Sequence, residues 1–162
     1  ALSTNVLNYA GFVNRGAKFR YINTPQIEPI FGWSLIATAA YLEANRKEAV
    51  GMARAFNRGQ QFCRESPTAC VKAYFEKFPQ VVPAGIAEEK AVSDQERVLA
   101  VYLDYAPKKD GKPWGYYDPA AWKAVVDYMI ATGQLTGTVD PTNLYTNDLL
   151  AEINAPVKSA SK

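Results

Sequence analysis

The residues of this chain best suited to bind a small molecule are neutral hydrogen-bonding groups near its start. They are Thr4, Asn5, Asn8 and Tyr9. They lie at the end of residues 1–6, which read as a strand, and ligands of open α/β sheets bind beyond the carboxyl ends of strands. Hydroxyl and amide groups donate and accept hydrogen bonds without a fixed charge, which suits a small polar ligand that must be released again. We therefore expect a first ligand site here.

A second candidate site is the short loop that contains Phe31, Gly32 and Trp33. Glycine permits a close approach of the backbone to a ligand, and the two flanking aromatic rings can form the walls of a pocket. The alternative is that Trp33 belongs to a buried strand over residues 33–38, because tryptophan is most often a core residue. Both interpretations remain open from the sequence.

Catalytic chemistry has little basis in this chain, because it contains no histidine. The commonest general base and every Ser-His or Cys-His arrangement are therefore excluded from it. The densest acidic group comprises Glu88, Glu89, Asp94 and Glu96. At helical spacing beside Lys90 and Arg97, these carboxylates are typical of a solvated face. Glycine-rich phosphate loops are absent, so no nucleotide is implied. Two cysteines without a histidine fall short of the usual four zinc ligands. We therefore expect no catalytic residue, no metal and no cofactor.

The two cysteines, Cys63 and Cys70, lie on either side of Ser66-Pro67, a dipeptide that signals the start of a helix. A chain that folds back at this turn brings the two thiols close together. A disulfide across so short a loop contributes roughly 2 to 3 kcal/mol in the chain-entropy model. Such a bond persists only in an oxidising compartment, and the alternative is two free thiols in a cytosolic protein.

The elements that must position these groups are three strands followed by helices. Strands are predicted at residues 1–6, 18–24 and 33–38, and an antiparallel pair of helices at residues 47–62 and 68–78. A further helix is predicted from Asp118-Pro119 to Gly133, since aspartate caps a helix, proline fits its first turn and glycine ends it. Its predicted core face comprises Ala121, Trp122, Val125, Val126, Met129 and Ile130. Asp140-Pro141 predicts a shorter helical segment that carries Tyr145, Leu149 and Leu150.

The order of signals from Trp114 to Leu150 resembles the C-terminal end of periplasmic solute-binding proteins of the thiamine-precursor and nitrate/sulfonate/taurine type. In that family a Trp-Gly pair is followed by an acidic helix start, a central tryptophan, a glycine turn and a Tyr-Thr-Asn segment before a hydrophobic pair. The matching residues here are Trp114, Gly115, Asp118, Trp122, Gly133, Tyr145, Thr146, Asn147, Leu149 and Leu150. The likeness extends over most of residues 1–154. Asn8-Tyr9 matches a pair found in the thiamine-precursor branch, although Ala10 stands where an acidic residue usually follows.

The resemblance implies an α/β fold, specifically one half of a type II periplasmic binding protein with a few strands at its start and a helix-rich C-terminal part. Residues 1–38 are then a strand-rich segment of the central sheet, residues 39–154 the helix-rich part of a lobe, and residues 155–162 a frayed tail. Family members are about twice as long, and Ala1-Leu2 is similar to the end of a family strand. We therefore expect the chain to be the second half of a two-lobe protein.

The function that the resemblance implies is that of a substrate-binding component of an ABC-type importer. Its partners would be a small polar or anionic solute, a membrane permease, and either the N-terminal half of the same protein or a second copy. The expected location is periplasmic, or extracellular and attached to a membrane. Two alternatives stay open: an enzyme like the pyrimidine synthase of thiamine biosynthesis, and the ligand-sensing domain of a signalling protein.

The composition agrees with a folded globular protein that does not bind nucleic acid. Hydrophobic residues make up 48% and charged residues 21% of the chain, which is enough for a core. The net charge is only +2, and no run of basic residues exceeds two. Nucleic acid and anionic membrane surfaces are therefore not expected partners.

Overall fold

The computed structural model describes residues 5–20, 22, 34–104 and 111–156. Within these ranges the chain forms seven α-helices and two single turns of 3-10 helix. The α-helices are α1 (Val6–Asn14), α2 (Ala39–Ala44), α3 (Arg46–Glu65), α4 (Pro67–Lys77), α5 (Glu88–Asp104), α6 (Pro119–Ala131) and α7 (Leu150–Ile153), and the 3-10 turns span Pro79–Val81 and Pro141–Asn143.

The predicted α/β fold is wrong for this part of the chain, which is helical and contains no strand. Residues 1–38 were expected to be rich in strands, but a helix begins at Val6, where the Asn5 side chain caps it. Residues 18–20 and 34–37 are neither helical nor paired with another strand. A short apolar run fits a strand and a buried helix equally well, and a strand also needs a neighbouring backbone to satisfy its amides.

The helices predicted on either side of the Ser66-Pro67 turn are present as α3 and α4. The start and end of α6 are also as predicted. The Asp118 carboxylate accepts a hydrogen bond of 2.9 Å from the Ala120 amide, and Gly133 follows the helix with a φ of 71°. Only glycine adopts that left-handed conformation without strain, which is why the helix ends there.

The described residues divide into two compact units, the first comprising Ala1–Tyr21 and Phe56–Pro107. In this unit α1 and α4 both pack against α5. Its buried side chains are all small or aliphatic: Ala10, Val71, Ala91, Val92 and Leu103. The second half of α3 joins them through the Arg64 guanidinium, which donates to the Leu103 carbonyl at 2.7 Å. That carbonyl lies in the last turn of α5, where no intrahelical donor is available, so a cation there is favourable.

The second unit comprises Ile22–Ala55 and Lys108–Lys162, and α6 is its longest complete helix. Val126 of α6 is buried, but Ile130, which was predicted to share its core face, is 44% exposed. The Asp140 side chain accepts from the Thr142 amide at 2.9 Å, so it caps as predicted. The result is a single 3-10 turn, Pro141–Asn143, rather than a helix reaching Leu150. Tyr145 and Leu149 therefore lie in the connection before α7.

Candidate functional site

The first predicted ligand site falls on α1. The Asn5 side chain accepts a hydrogen bond of 2.9 Å from the Asn8 amide, so Asn5 serves as the helix cap. The Asn8 side chain is exposed and forms no hydrogen bond with any other described residue. The Tyr9 ring is half-buried with its centroid 5.6 Å from that of Phe19. Thr4 lies outside the described residues.

The structure therefore assigns different tasks to the predicted residues. Asn5 caps the helix, Tyr9 packs against Phe19, and Asn8 presents its side-chain amide to solvent. The second predicted site, Phe31 to Trp33, lies outside the described residues, so its contact with a ligand stays a prediction.

A polar cluster joins the end of α1 to α5. The Asn14 side chain donates to the Asp94 backbone carbonyl at 2.6 Å and accepts from Arg97 Nε at 2.9 Å. The Arg97 guanidinium also pairs with the Asp94 carboxylate, which receives Lys90 Nζ at 2.8 Å as well. Asn14 is the residue through which the end of α1 is fixed to the middle of α5.

The pKa of the Asp94 carboxyl is lowered by these contacts. The hydrogen bond from Lys90 is the largest cause, and the positive charges of Lys90 and Arg97 add to it, while partial desolvation opposes them. The neighbouring Glu96 carboxylate accepts a hydrogen bond from the Thr68 hydroxyl, and Glu88 and Glu89 lie in the first turn of α5. Carboxylates favour that position because of the helix dipole. The contacts of this acidic group thus stabilise the helices.

The region of unit 2 that carries the family resemblance is organised by aromatic rings. The Trp122 and Tyr145 rings stack with centroids 5.6 Å apart and an interplanar angle of 13°. The Tyr117 ring meets the edge of Trp122 at 5.7 Å. Stacked and edge-on pairs of this kind are attractive beyond the apolar area they bury. They hold the start of α6 against the connection that follows the 3-10 turn.

Two asparagines secure the same region, and sequence reasoning did not single out their role. Asn147 donates to the Tyr117 carbonyl at 2.9 Å and accepts from the Tyr117 amide at 3.0 Å. Asn154 bonds the carbonyl and amide of Trp114 in the same way, at 3.0 and 3.1 Å. Because each pair is separated by 30 or 40 residues, no local pattern indicates it. The family-like order of Trp114 and Asn147 was the one signal available.

The two cysteines meet across the junction of α3 and α4. The Cys63 and Cys70 sulfurs lie at disulfide-bonding distance, and their Cα atoms are 5.0 Å apart. Seven residues of unbroken helix would separate those atoms by about 10 Å. The bend at Ser66 therefore brings the pair into the range that a disulfide requires.

An open groove of about 560 Å³ lies in unit 2 between the first half of α3 and the segment around α7. Its lining residues are Arg46, Lys47, Val50, Gly51, Arg54, Glu152 and Ala155. Three of these side chains are cationic and one is anionic. Sequence reasoning did not identify this groove, because the cations come from α3 and the anion lies about 100 residues later in the chain.

The described ranges contain neither a cluster of metal-binding side chains nor a membrane-spanning helix. No three cysteine or carboxylate side chains there gather closely enough to hold a metal ion. No helix in those ranges is both long and apolar enough to cross a membrane.

Comparison with known proteins adds no relative. The chain matches no family model, no curated protein sequence and no solved structure with which it was compared.

Proposed function

We propose that the chain acts as part of a substrate-binding component of an ABC-type importer. It would bind a small polar or anionic solute, such as nitrate, a sulfonate or a thiamine-precursor pyrimidine, without transforming it. A membrane permease would receive the solute. The chain would work in an oxidising, periplasmic or extracellular setting, which the proximity of Cys63 and Cys70 favours.

This proposal rests on the contacts that the family-like residues make in unit 2. Asp118 caps α6, Trp122 stacks on Tyr145, and Asn147 bonds both polar groups of Tyr117. Of these residues, Asp118, Trp122, Tyr145 and Asn147 are among those whose order resembles the solute-binding family. Residues that jointly build one local structure are expected to persist together in a family. Their joint occurrence here therefore supports kinship more strongly than any single dipeptide does.

The surface of α1 supports binding as the activity. Asn8 presents a neutral amide that can both donate and accept, which suits reversible recognition of a polar solute. In the acidic group of α5, Asp94 and Glu96 are engaged in contacts that stabilise helices. A catalytic carboxylate would instead be expected to face a substrate cleft.

Isothermal titration calorimetry of the purified protein with taurine, nitrate and an aminopyrimidine tests the proposal. We expect saturable binding of one of these solutes, and a rise in melting temperature that follows its concentration. Replacing Asn8 by Ala is expected to weaken that binding about fivefold to tenfold, the effect of one lost hydrogen bond, with an unchanged melting temperature.

Gln61→Ala is the matched control, because Gln61 is also an exposed amide on a helix. It should leave affinity unchanged. Failure of all three solutes to bind would contradict the proposed function. Binding that Asn8→Ala leaves intact would retain the function and remove α1 from the site.

A further inference from the structure

The groove in unit 2 carries positive charge that its own carboxylate does not cancel. Glu152 pairs with the Arg46 guanidinium, which also donates to the Asp148 carbonyl. Arg54 donates to the carbonyls of Ala155 and Pro156, at 3.0 and 3.4 Å, and these acceptors are uncharged. Lys47 is exposed and has no ion-pair partner in the described part of the chain. Two cations, Lys47 and Arg54, therefore remain uncompensated beside one groove.

The two cations are spaced along the groove by the geometry of α3. Positions 47 and 54 are seven residues apart, so they lie on the same face, two turns and about 10 Å apart along the axis. Both side chains are long and flexible, so each can approach a bound group between these positions.

The floor between the cations is apolar and open. Val50 is 6% exposed, and a Cβ atom at Gly51 would meet nothing within 4 Å. The groove volume of about 560 Å³ falls in the range of small-molecule sites, roughly 300 to 1,000 Å³. A ligand that fits must place charge at the two ends and hydrocarbon in the middle.

We propose that this groove binds a small linear organic dianion, such as a dicarboxylate with an apolar spacer. One terminal group pairs with Lys47 and the other with Arg54, while the spacer lies over Val50 and Gly51. The site belongs to unit 2, whereas Asn8 belongs to unit 1. The proposal is therefore independent of the importer function, and either can fail without the other.

The test is an NMR titration of the isotopically labelled protein with pimelate, a seven-carbon dicarboxylate, and with hexanoate as the monoanionic comparison. We expect saturable shifts confined to α3 and the residues around α7, with pimelate binding at least about fivefold tighter than hexanoate. Lys47→Gln and Arg54→Gln should each weaken pimelate binding by about fivefold, the upper end for an exposed ion pair.

Two controls distinguish binding in the groove from general attraction of pimelate to positive charge. Lys72→Gln removes the same charge from an exposed position on α4 and should leave pimelate affinity unchanged. Gly51→Leu places a side chain in the groove and should abolish binding, while the melting temperature holds or rises because leucine favours helix over glycine.

Three outcomes would overturn the proposal. They are equal affinity for pimelate and hexanoate, an equal loss of affinity in Lys72→Gln, and unchanged binding in Gly51→Leu.

Discussion

The side-chain amide of Asn147 forms hydrogen bonds with both backbone polar groups of Tyr117, a residue that lies before the start of α6. An asparagine can do this because its amide carries a donor and an acceptor at the spacing of a neighbouring backbone. The site is partly buried, so water would replace these bonds poorly. The side chain thus takes the place that an adjacent strand would fill in a sheet.

Replacing Asn147 by Ala is expected to lower the free energy of unfolding by about 1 to 3 kcal/mol, because two backbone groups of Tyr117 lose their partner. Urea denaturation followed by circular dichroism measures this change. Asn143→Ala is the control, since Asn143 is exposed and its side chain forms no hydrogen bond with the other described residues. It should change stability by less than about 0.5 kcal/mol. Equal effects of the two substitutions would show that the bridge contributes nothing.

Asp94 should make stability depend on pH in the acid range. Its pKa in the folded protein lies below the usual 3.8, chiefly because of the hydrogen bond from Lys90. A carboxyl with a lowered folded pKa adds stability above its unfolded pKa, and that stability is lost as the pH falls through the folded value.

We therefore expect Asp94→Asn to lower the melting temperature at neutral pH. The difference from the wild type should shrink as the pH falls towards 3.8 and vanish below the folded pKa. Melting curves over this pH series provide the measurement. Asp127→Asn removes a carboxylate from an exposed pair with Lys123 and should have little effect at neutral pH. If the melting temperature of Asp94→Asn stays below that of the wild type in acid, the substitution has removed packing instead of charge.

At the scale of elements, the local sequence predicted the helix boundaries but not the long-range contacts. Asp118-Pro119 and Ser66-Pro67 mark the starts of α6 and α4, because capping and proline geometry act within a few residues. The bridge from Asn147 to Tyr117 spans 30 residues and has no local signature. The same limit explains the error at residues 1–6. A strand was predicted to reach Val6, but the Asn5 side chain caps a helix that begins at Val6 and packs on α5.

The junction of α3 and α4 is closed by the disulfide between Cys63 and Cys70. Replacing Cys63 and Cys70 together by Ser is expected to cost about 2 kcal/mol of stability, because the unfolded chain regains the freedom of a short loop. Urea denaturation with and without a reducing agent gives the value, and reduction of the wild type should reproduce it. Mass spectrometry after alkylation without reduction should find no labelled thiol. Labelling of both cysteines would rule the disulfide out.

At the scale of the whole molecule, the described chain buries small side chains and leaves large ones at the surface. Its buried hydrophobic residues are alanines, valines and one leucine, and none is aromatic. Tyr74 and Phe78 of the α4 region are 40% and 43% exposed, and Val81 and Val82 follow them. Exposed apolar side chains that adjoin one another are typical of surfaces that contact another protein segment. A covering lobe or a second copy on this surface stays a prediction.

The isolated chain is therefore expected to associate with itself, because Tyr74 and Phe78 present adjoining apolar rings to solvent. Sedimentation equilibrium is expected to give a mass above the 17.9 kDa of one chain, decreasing on dilution. Phe78→Ser should shift the mass towards that of the monomer, whereas Lys77→Ser, an exposed neighbour on α4, should not. Circular dichroism of each variant verifies that the helices remain. The prediction is wrong if the chain is a monomer at all concentrations, unfolds cooperatively and binds no apolar dye. These side chains would then be stable in water, and the chain would need no partner to cover them.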